Sequence, residues 1–398
     1  MTSFSYSNHD IPLDTLTTLQ MLDHDPVSVY RRLRKDAPIV RIQAIDRIVL
    51  TKADDVYLAK TDTEHFGSFD THSPMHRAFG GHTLMRKDGP AHLREREAMA
   101  TTFHEHHLCS TWSKIFESVV DQVINQLPET GIVDLLASLA APISAKCLKN
   151  ILGINVALDD KLFEWATALI NGAMNSCSNV AVFRSSDQAN EEMNQCFDQM
   201  IVAHRANPNA SILSSMVNQP NPIPLSQIRT NMKICIGGAA IEMRDALLTT
   251  LHGLLQNPAQ LNYCLKTGNW SLACEEALRW VAPIQVSPRI VKKCIELRGI
   301  TLPAGEAIMV IQGSANHDED YWLDPQTFDI HRPSIENHTF GAGPHRCLGS
   351  GMYRRLICST ILPKLFCQFP KLRPAIDYKV EFRGFAFRGL ASLPVQLA

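Results

Sequence analysis

The chain has 398 residues, 45% of them apolar and 20% charged, with a formal net charge of −2. That balance offers no global basic field to recruit nucleic acid or an anionic lipid surface. No apolar run is long enough to span a bilayer, and the opening MTSFSYSNHDIPLD has neither the charged nor the apolar segment of a secretory signal. Eleven cysteines, an odd number, are scattered from Cys109 to Cys367 with no C-x-x-C pair. Reduced, mostly buried thiols in a cytoplasm are therefore expected, with room for one cysteine to hold a defined chemical job.

In chain order, the pattern predicts a helix over Pro26–Lys35, then short alternating segments at Ile39–Gln43 and Arg47–Leu50 that read as a hairpin-like sheet. From about residue 91 to 260 the texture is helical. Phe116, Val119, Val120, Val123, Ile124 and Leu127 follow the 3.6-residue period of a core-facing helix. Leu158–Ile170 reads similarly, and Leu225–Leu255 reads as one long, mostly apolar helix preceded by a loop carrying Pro208, Pro220, Pro222 and Pro224. After residue 282, β-branched alternation marks strands at Gln285–Ile290, Glu296–Arg298 and Ala307–Ile311. A glycine-rich loop, Phe340–Gly351, then leads into a helix ending near Phe366, and the tail from Tyr378 to Leu397 alternates again. There is no repeat, low-complexity tract or linker. The expectation is a mainly α (α+β) chain, helix-rich with small peripheral β-sheets, forming a single domain over residues 1–398.

The segment Phe340-Gly341-Ala342-Gly343-Pro344-His345-Arg346-Cys347-Leu348-Gly349 carries the chemistry. It delivers a cysteine at the end of a glycine-rich loop, just before a helix whose N-terminal partial charge favours a thiolate. Gly341, Gly343 and Gly349 let the backbone turn and approach a flat object without a Cβ in the way. Such a thiolate suits an axial position on haem iron. Taken alone, a cysteine after a glycine turn is more often simply buried. The ten positions together are far more specific.

On these residues the chain resembles the bacterial cytochrome P-450 family of haem-thiolate monooxygenases, and the resemblance runs along nearly the whole chain. It implies the cytochrome P-450 fold, a haem b (iron protoporphyrin IX) cofactor and Cys347 as the iron ligand, with Phe340, Gly341 and Gly349 shaping the cradle. Glu276-Ala277-Leu278-Arg279 matches the family's E-x-x-R helix, and Arg332 in Phe328-Asp329-Ile330-His331-Arg332-Pro333 is the implied third member of a buried structural network. His92 and Arg96, in His92-Leu93-Arg94-Glu95-Arg96, together with Arg289 and His345, match the family's haem-propionate anchors. Two carboxylates in a largely apolar pocket need such cations and hydrogen bonds.

The long helix departs from the family. Where an acid and an alcohol usually follow the glycine, this chain reads Gly237-Gly238-Ala239-Ala240-Ile241-Glu242. With the glycine pair fixing the register, Ala240 replaces the acid and Ile241 the alcohol, and neither can transfer a proton. Glu242 is the nearest ionisable residue. It could relay protons with ordered water or simply bridge to a neighbouring base. Substrate assistance, a hydrogen-peroxide-dependent peroxygenase and non-monooxygenase haem chemistry are the other readings. Gly238, Ile241 and Glu242 are the catalytic candidates.

The resemblance places substrate contacts at Phe69, Phe79, Leu84, Ile170, Met174, Val286 and Phe387, as well as Gly238 and Ile241. Most are apolar, which implies a small apolar organic substrate, although core packing would explain each equally well. No flavin- or iron–sulfur-binding pattern is present, so a separate ferredoxin and ferredoxin reductase are the implied electron donors, meeting Arg94, Arg346, Arg354 and Arg355. No nucleic acid or membrane partner is expected. His104-Glu105-His106-His107 reads as a solvated helix end, because adjacent histidines do not share a helix face.

Overall fold

The computed structural model describes residues 4–5, 11–70, 73–175, 177–333, 335–376 and 378–398. Contacts divide the chain into two compact units. One comprises Met1–Asp70, Asp245–Cys347 and Pro374–Leu393; the other comprises Thr71–Arg244, Leu348–Arg373 and Pro394–Ala398.

The first unit is built on a seven-stranded mixed sheet in the order Phe4–Ser5, Leu13–Asp14, Ile39–Ile42, Arg47–Leu50, Ala307–Ile311, Val286–Val291 and Phe66–Gly67. Ile39–Ile42 and Arg47–Leu50 form the antiparallel pair foreseen from their alternation. The sheet is larger than a hairpin. Ala307–Ile311 joins it parallel to Arg47–Leu50, with Met309 opposite Val49, and antiparallel to Val286–Val291, with Ile308 opposite Arg289. Successive residues point to opposite faces of a strand. Ile39, Ile48 and Leu50 accordingly enter one apolar cluster with Val56, Ile308 and Val310, while Val40, Ile42 and Val49 enter another with Leu22, Leu33 and Ile311. The helix Pro26–Asp36 packs on the second face. Asp25 caps its N-terminus by accepting from the Ser28 amide, and Pro26 occupies the first turn, where its missing N–H costs nothing.

The second unit is helical: Gly89–Ala100, Ser113–Ile124, Ala141–Leu152, Asp159–Ala173, Val180–Ala206 and the larger part of the 32-residue helix Leu225–Gln256. The tail strand Pro394–Gln396 pairs antiparallel with Ile132–Asp134, a short strand inside the stretch whose pattern is overwhelmingly helical. A three-residue strand is too short to imprint a period of two on its neighbours, which is why it escaped notice. Residues 104–107 open a helical turn at Glu105–His107. Among the described residues no grouping of three His, Cys, Asp or Glu could hold a metal ion, and no described helix is long and apolar enough to cross a membrane.

The helix following the cysteine loop starts at Ser350, with Gly349 as its N-cap, rather than at Leu348. It runs α-helical to Tyr353, widens to a π-helical stretch over Arg354–Ile361 and resumes as α-helix over Leu362–Gln368. Cys347 therefore lies before the helix cap and not in its first turn.

Candidate active site

In the first unit, the cysteine loop is a set of tight turns. Gly341 and Gly343 hold φ of +70° and +65°, the left-handed region that side chains disfavour. At Gly343 a Cβ would also lie 2.4 Å from the Lys60 carbonyl oxygen, so no larger residue fits without moving backbone. The Cys347 amide donates to the Phe340 carbonyl at 2.9 Å, closing the loop on itself and leaving the thiol exposed at its end. The His345 ring is held by its Nε2, 3.1 Å from Ser68 Oγ.

The root of the loop is tied to the helix Trp270–Trp280. Asn316 Oδ1 accepts from the His338 amide at 2.7 Å, its Nδ2 donates to Thr339 Oγ1, and Thr339 Oγ1 donates to the Leu278 carbonyl. On that helix Glu276 and Arg279 form a double hydrogen bond, 2.7 Å for each arm, with Arg279 only 1% exposed. Glu276 Oε1 also accepts from Arg332 Nε at 3.1 Å and from the Asp329 amide at 2.8 Å. The other guanidinium hydrogens of Arg279 reach the Asn316, Pro325 and Thr327 carbonyls. The polypeptide leading into the cysteine loop is thus gathered around one carboxylate.

Arg289 lies on the strand Val286–Val291 and is buried, with Nη1 donating to the Pro288 carbonyl at 2.8 Å. Lys60, 5% exposed, is a neighbouring cation that pattern reading overlooked. Its Nζ donates to Gln312 Oε1 at 2.8 Å. Burial, reinforced by the like charge of Arg289, pushes its pKa down to about 7. Nothing in the sequence around Lys60 marks it, since a lysine near a helix end is usually solvated. A thiol presented at a loop end, a backbone kept free of side chains and two buried cations under mutual repulsion make a donor set that fits an iron porphyrin carrying two carboxylates. Val286 is buried, and the isolated bridge between Ile284 and Phe387 sets these two segments side by side. Phe69 stays 49% exposed.

In the second unit, His92 and Arg96 lie one turn apart on the helix Gly89–Ala100, His92 buried and Arg96 half-buried. Between them Glu95 is buried and fixes this helix to the long helix, accepting from Asn231 Nδ2 at 2.8 Å and from Lys87. Asn231 Oδ1 accepts in turn from the Leu84 amide at 2.9 Å. Leu84 and Phe79 are buried, and the Phe79 ring edge comes within 3.2 Å of where a Cβ on Gly237 would stand, so both pack in the core of this unit. Ile170 is half-buried and Met174 is 47% exposed. Of the arginines assigned to partner docking, Arg346 in the first unit pairs with Glu336 at 2.9 Å and Arg355 in the second with Glu105 at 3.3 Å, while Arg94 is exposed.

The long helix is buried over Thr230–Lys233 and again from Asp245 onward, yet Ile234, Gly238, Ile241 and Glu242 along one side of its middle are only half-buried. Ala240 faces the other way. It is fully buried, and its carbonyl accepts from Ser144 Oγ at 2.7 Å. Glu242 instead folds back along the helix, placing Oε1 3.6 Å from the Cβ position of Gly238.

Comparison with known proteins bears on all of these elements. A family model described as Cytochrome P450 matches residues 271–370. Cytochrome P450(MEG) of Priestia megaterium is 27% identical over 377 residues, covering 90% of each chain. The steroid C26-monooxygenase of Mycobacterium tuberculosis (strain ATCC 25618 / H37Rv) is 28% identical over 379 residues, covering 92% of each. Among solved structures, the cytochrome P450 enzyme CxnD, for C–S bond formation in chuangxinmycin biosynthesis, superimposes with a TM-score of 0.86 at 22% identity over 98% of both chains. The matched model spans both the Glu276 network and the Cys347 loop, and the relatives extend that match along nine-tenths of the sequence, so the chain is similar over most of its length to haem-dependent cytochrome P450 monooxygenases.

Proposed function

We propose that this chain is a cytochrome P450 that oxidises a small, mostly apolar organic substrate, that Cys347 would be the thiolate ligand of its haem iron and that Glu242 is its proton-handling group. Haem supplies the redox activation of dioxygen. Cys347 holds the iron from the exposed end of a loop that the Glu276–Arg279–Arg332 network keeps in place. His92, Arg96, Arg289 and His345 hold the propionates. The half-buried, largely apolar side of the long helix, with Ile234, Gly238 and Ile241, faces the substrate, and burial rather than charge provides most of its binding.

The observation that carries the proton assignment is the orientation around Gly238. A side chain at 240 points into the core, whereas Glu242 lies on the half-buried side with its carboxyl group over Gly238, whose lack of a side chain leaves it room. A carboxyl there can hold a proton at Oε1 and pass it to water on that side of the helix, while Ile241 limits how much water enters.

Electrons come from a separate ferredoxin and its reductase. Arg94 is the exposed cation for that encounter, while Arg346 and Arg355 already have acidic neighbours. The 398 residues act as a single catalytic domain in the cytoplasm.

Glu242→Gln tests the assignment. Product formed per electron pair should fall by about tenfold or more, a typical share for general acid catalysis. The reduced carbon monoxide spectrum, which reports the thiolate, should stay that of the parent. Unchanged coupling would remove Glu242 from the proton path, and a thiolate-type spectrum in Cys347→Ser would overturn the ligand assignment.

A further inference from the structure

One turn before Gly237 on the long helix, Lys233 is 3% exposed. Among the described residues its ammonium has no hydrogen bond and no ion pair. Its cationic neighbour Arg229 differs in this respect, being satisfied by both carboxylate oxygens of Asp198 at 2.8 to 3.0 Å. Glu191 acts on Lys233 only at longer range, and burial pushes the lysine's pKa down to about 8. An ammonium in that setting carries a desolvation cost that a helix surface would not impose.

A second polar atom points to the same spot. Asn190, on the helix Val180–Ala206, spends both hydrogens of its amide on the Ala78 and Ser186 carbonyls, at 2.7 and 2.9 Å. That fixes which end of the amide is which and leaves Oδ1 buried without a partner. The two atoms meet at Gly80, whose φ is +68°. A Cβ at Gly80 would lie 3.3 Å from Lys233 Nζ and 3.4 Å from Asn190 Oδ1, so any larger side chain would crowd both groups. Phe79 beside it packs on Gly237, one turn along the long helix from Lys233 and next to half-buried Gly238.

We infer that Lys233 is a specificity-determining residue that receives the carboxylate of the substrate, its ammonium hydrogens left for the ligand and Asn190 Oδ1 close beside it. The inference rests on the reading that the middle of the long helix faces the substrate, and it adds a class: an apolar molecule ending in a carboxylate. An ammonium has three donors and no acceptor, so an anion both compensates its charge and uses its hydrogens, whereas an amide of the same shape offers only a dipole.

The test uses the haem-loaded enzyme, with binding read from the shift of the Soret band. The probes are saturated monocarboxylates of graded length, and benzoate, each paired with its own primary amide. The parent enzyme should bind at least one carboxylate at least about tenfold more tightly than its amide. Lys233→Met should abolish that preference and Lys233→Arg should keep it. Asn190→Asp, which supplies a carboxylate beside the lysine from within the protein, should abolish it without removing the cation. Carboxylates that show no preference, or a preference that survives both Lys233→Met and Asn190→Asp, would overturn the inference. The reduced carbon monoxide spectrum of each variant reports the Cys347 assignment separately, so the two readings fail by different signals.

Discussion

Glu276→Ala should be among the most damaging single substitutions in the first unit. The carboxylate is 5% exposed and accepts four hydrogen bonds, two from Arg279, one from Arg332 and one from the Asp329 amide. Removing it strands the guanidinium of Arg279, 1% exposed, with carbonyl partners alone, and it frees the Asp329 amide. Breaking a buried pair by deleting one partner costs about 3–5 kcal/mol, because the surviving charge stays out of water. Loss of the backbone bond adds about 1 kcal/mol. Asn316, whose carbonyl also binds Arg279, holds the His338 amide at the root of the cysteine loop, so the damage reaches Cys347. Chemical denaturation followed by circular dichroism measures the first effect, and the ratio of Soret to protein absorbance measures the second. Glu276→Gln, which keeps the shape and part of the bonding, should fall between parent and alanine variant. A Glu276→Ala protein within about 1 kcal/mol of the parent, with full haem content, would refute the buried-network reasoning.

Two glycines separate backbone strain from close approach. Gly305→Ala meets nothing within 4 Å and should cost only the left-handed strain, about 1 kcal/mol, whereas Gly343→Ala also drives a methyl onto the Lys60 carbonyl and should cost at least about 2 kcal/mol more, as measured by denaturant midpoints. Two buried histidines and a half-buried one should make the protein acid-labile: desolvation depresses His252 and His338 to about 4, and burial together with the charge of Arg279 depresses His317 to about 3. Each stays neutral in the fold but binds a proton when unfolded below pH about 6.5, so stability is fully present above that pH and is lost progressively as pH falls towards 4, by up to about 1.4 kcal/mol per pH unit for each. A stability profile flat from pH 7 to 4.5 would contradict this.

The cysteine loop and the Glu276 helix were legible in the sequence because each is a local pattern whose residue types are dictated by one physical demand: glycines where φ is positive at 341 and 343, an acid and a base three apart on one helix face at 276 and 279. The long helix showed itself by length and apolarity, its bounds missing by one residue at Gln256. What stayed hidden depends on partners distant in sequence. Lys60 and Lys233 look like ordinary surface lysines until Gln312 and Arg289, or Gly80 and Asn190, are brought beside them. The parallel pairing of Ala307–Ile311 with Arg47–Leu50 spans more than 250 residues, and no strand carries a label for its partner.

The same helix also explains why an atypical sequence can sit in an unexceptional fold. Its packing is decided at Ile236, Ala240, Leu247 and Leu251, each at most 1% exposed, while Gly238, Ile241 and Glu242 are only half-buried. A carboxylate at 240 would be taken fully out of water opposite the helix Ala141–Leu152, where the Ser144 hydroxyl is already committed to the Ala240 carbonyl. Placed two residues on, on the half-buried side, the carboxylate gains the space that Gly238 leaves open. If Glu242 handles protons as proposed, packing and proton chemistry lie on different sides of one helix. On that proposal, placing the acid at 242 rather than 240 would change the route by which protons arrive without disturbing the contacts that hold the helix in place.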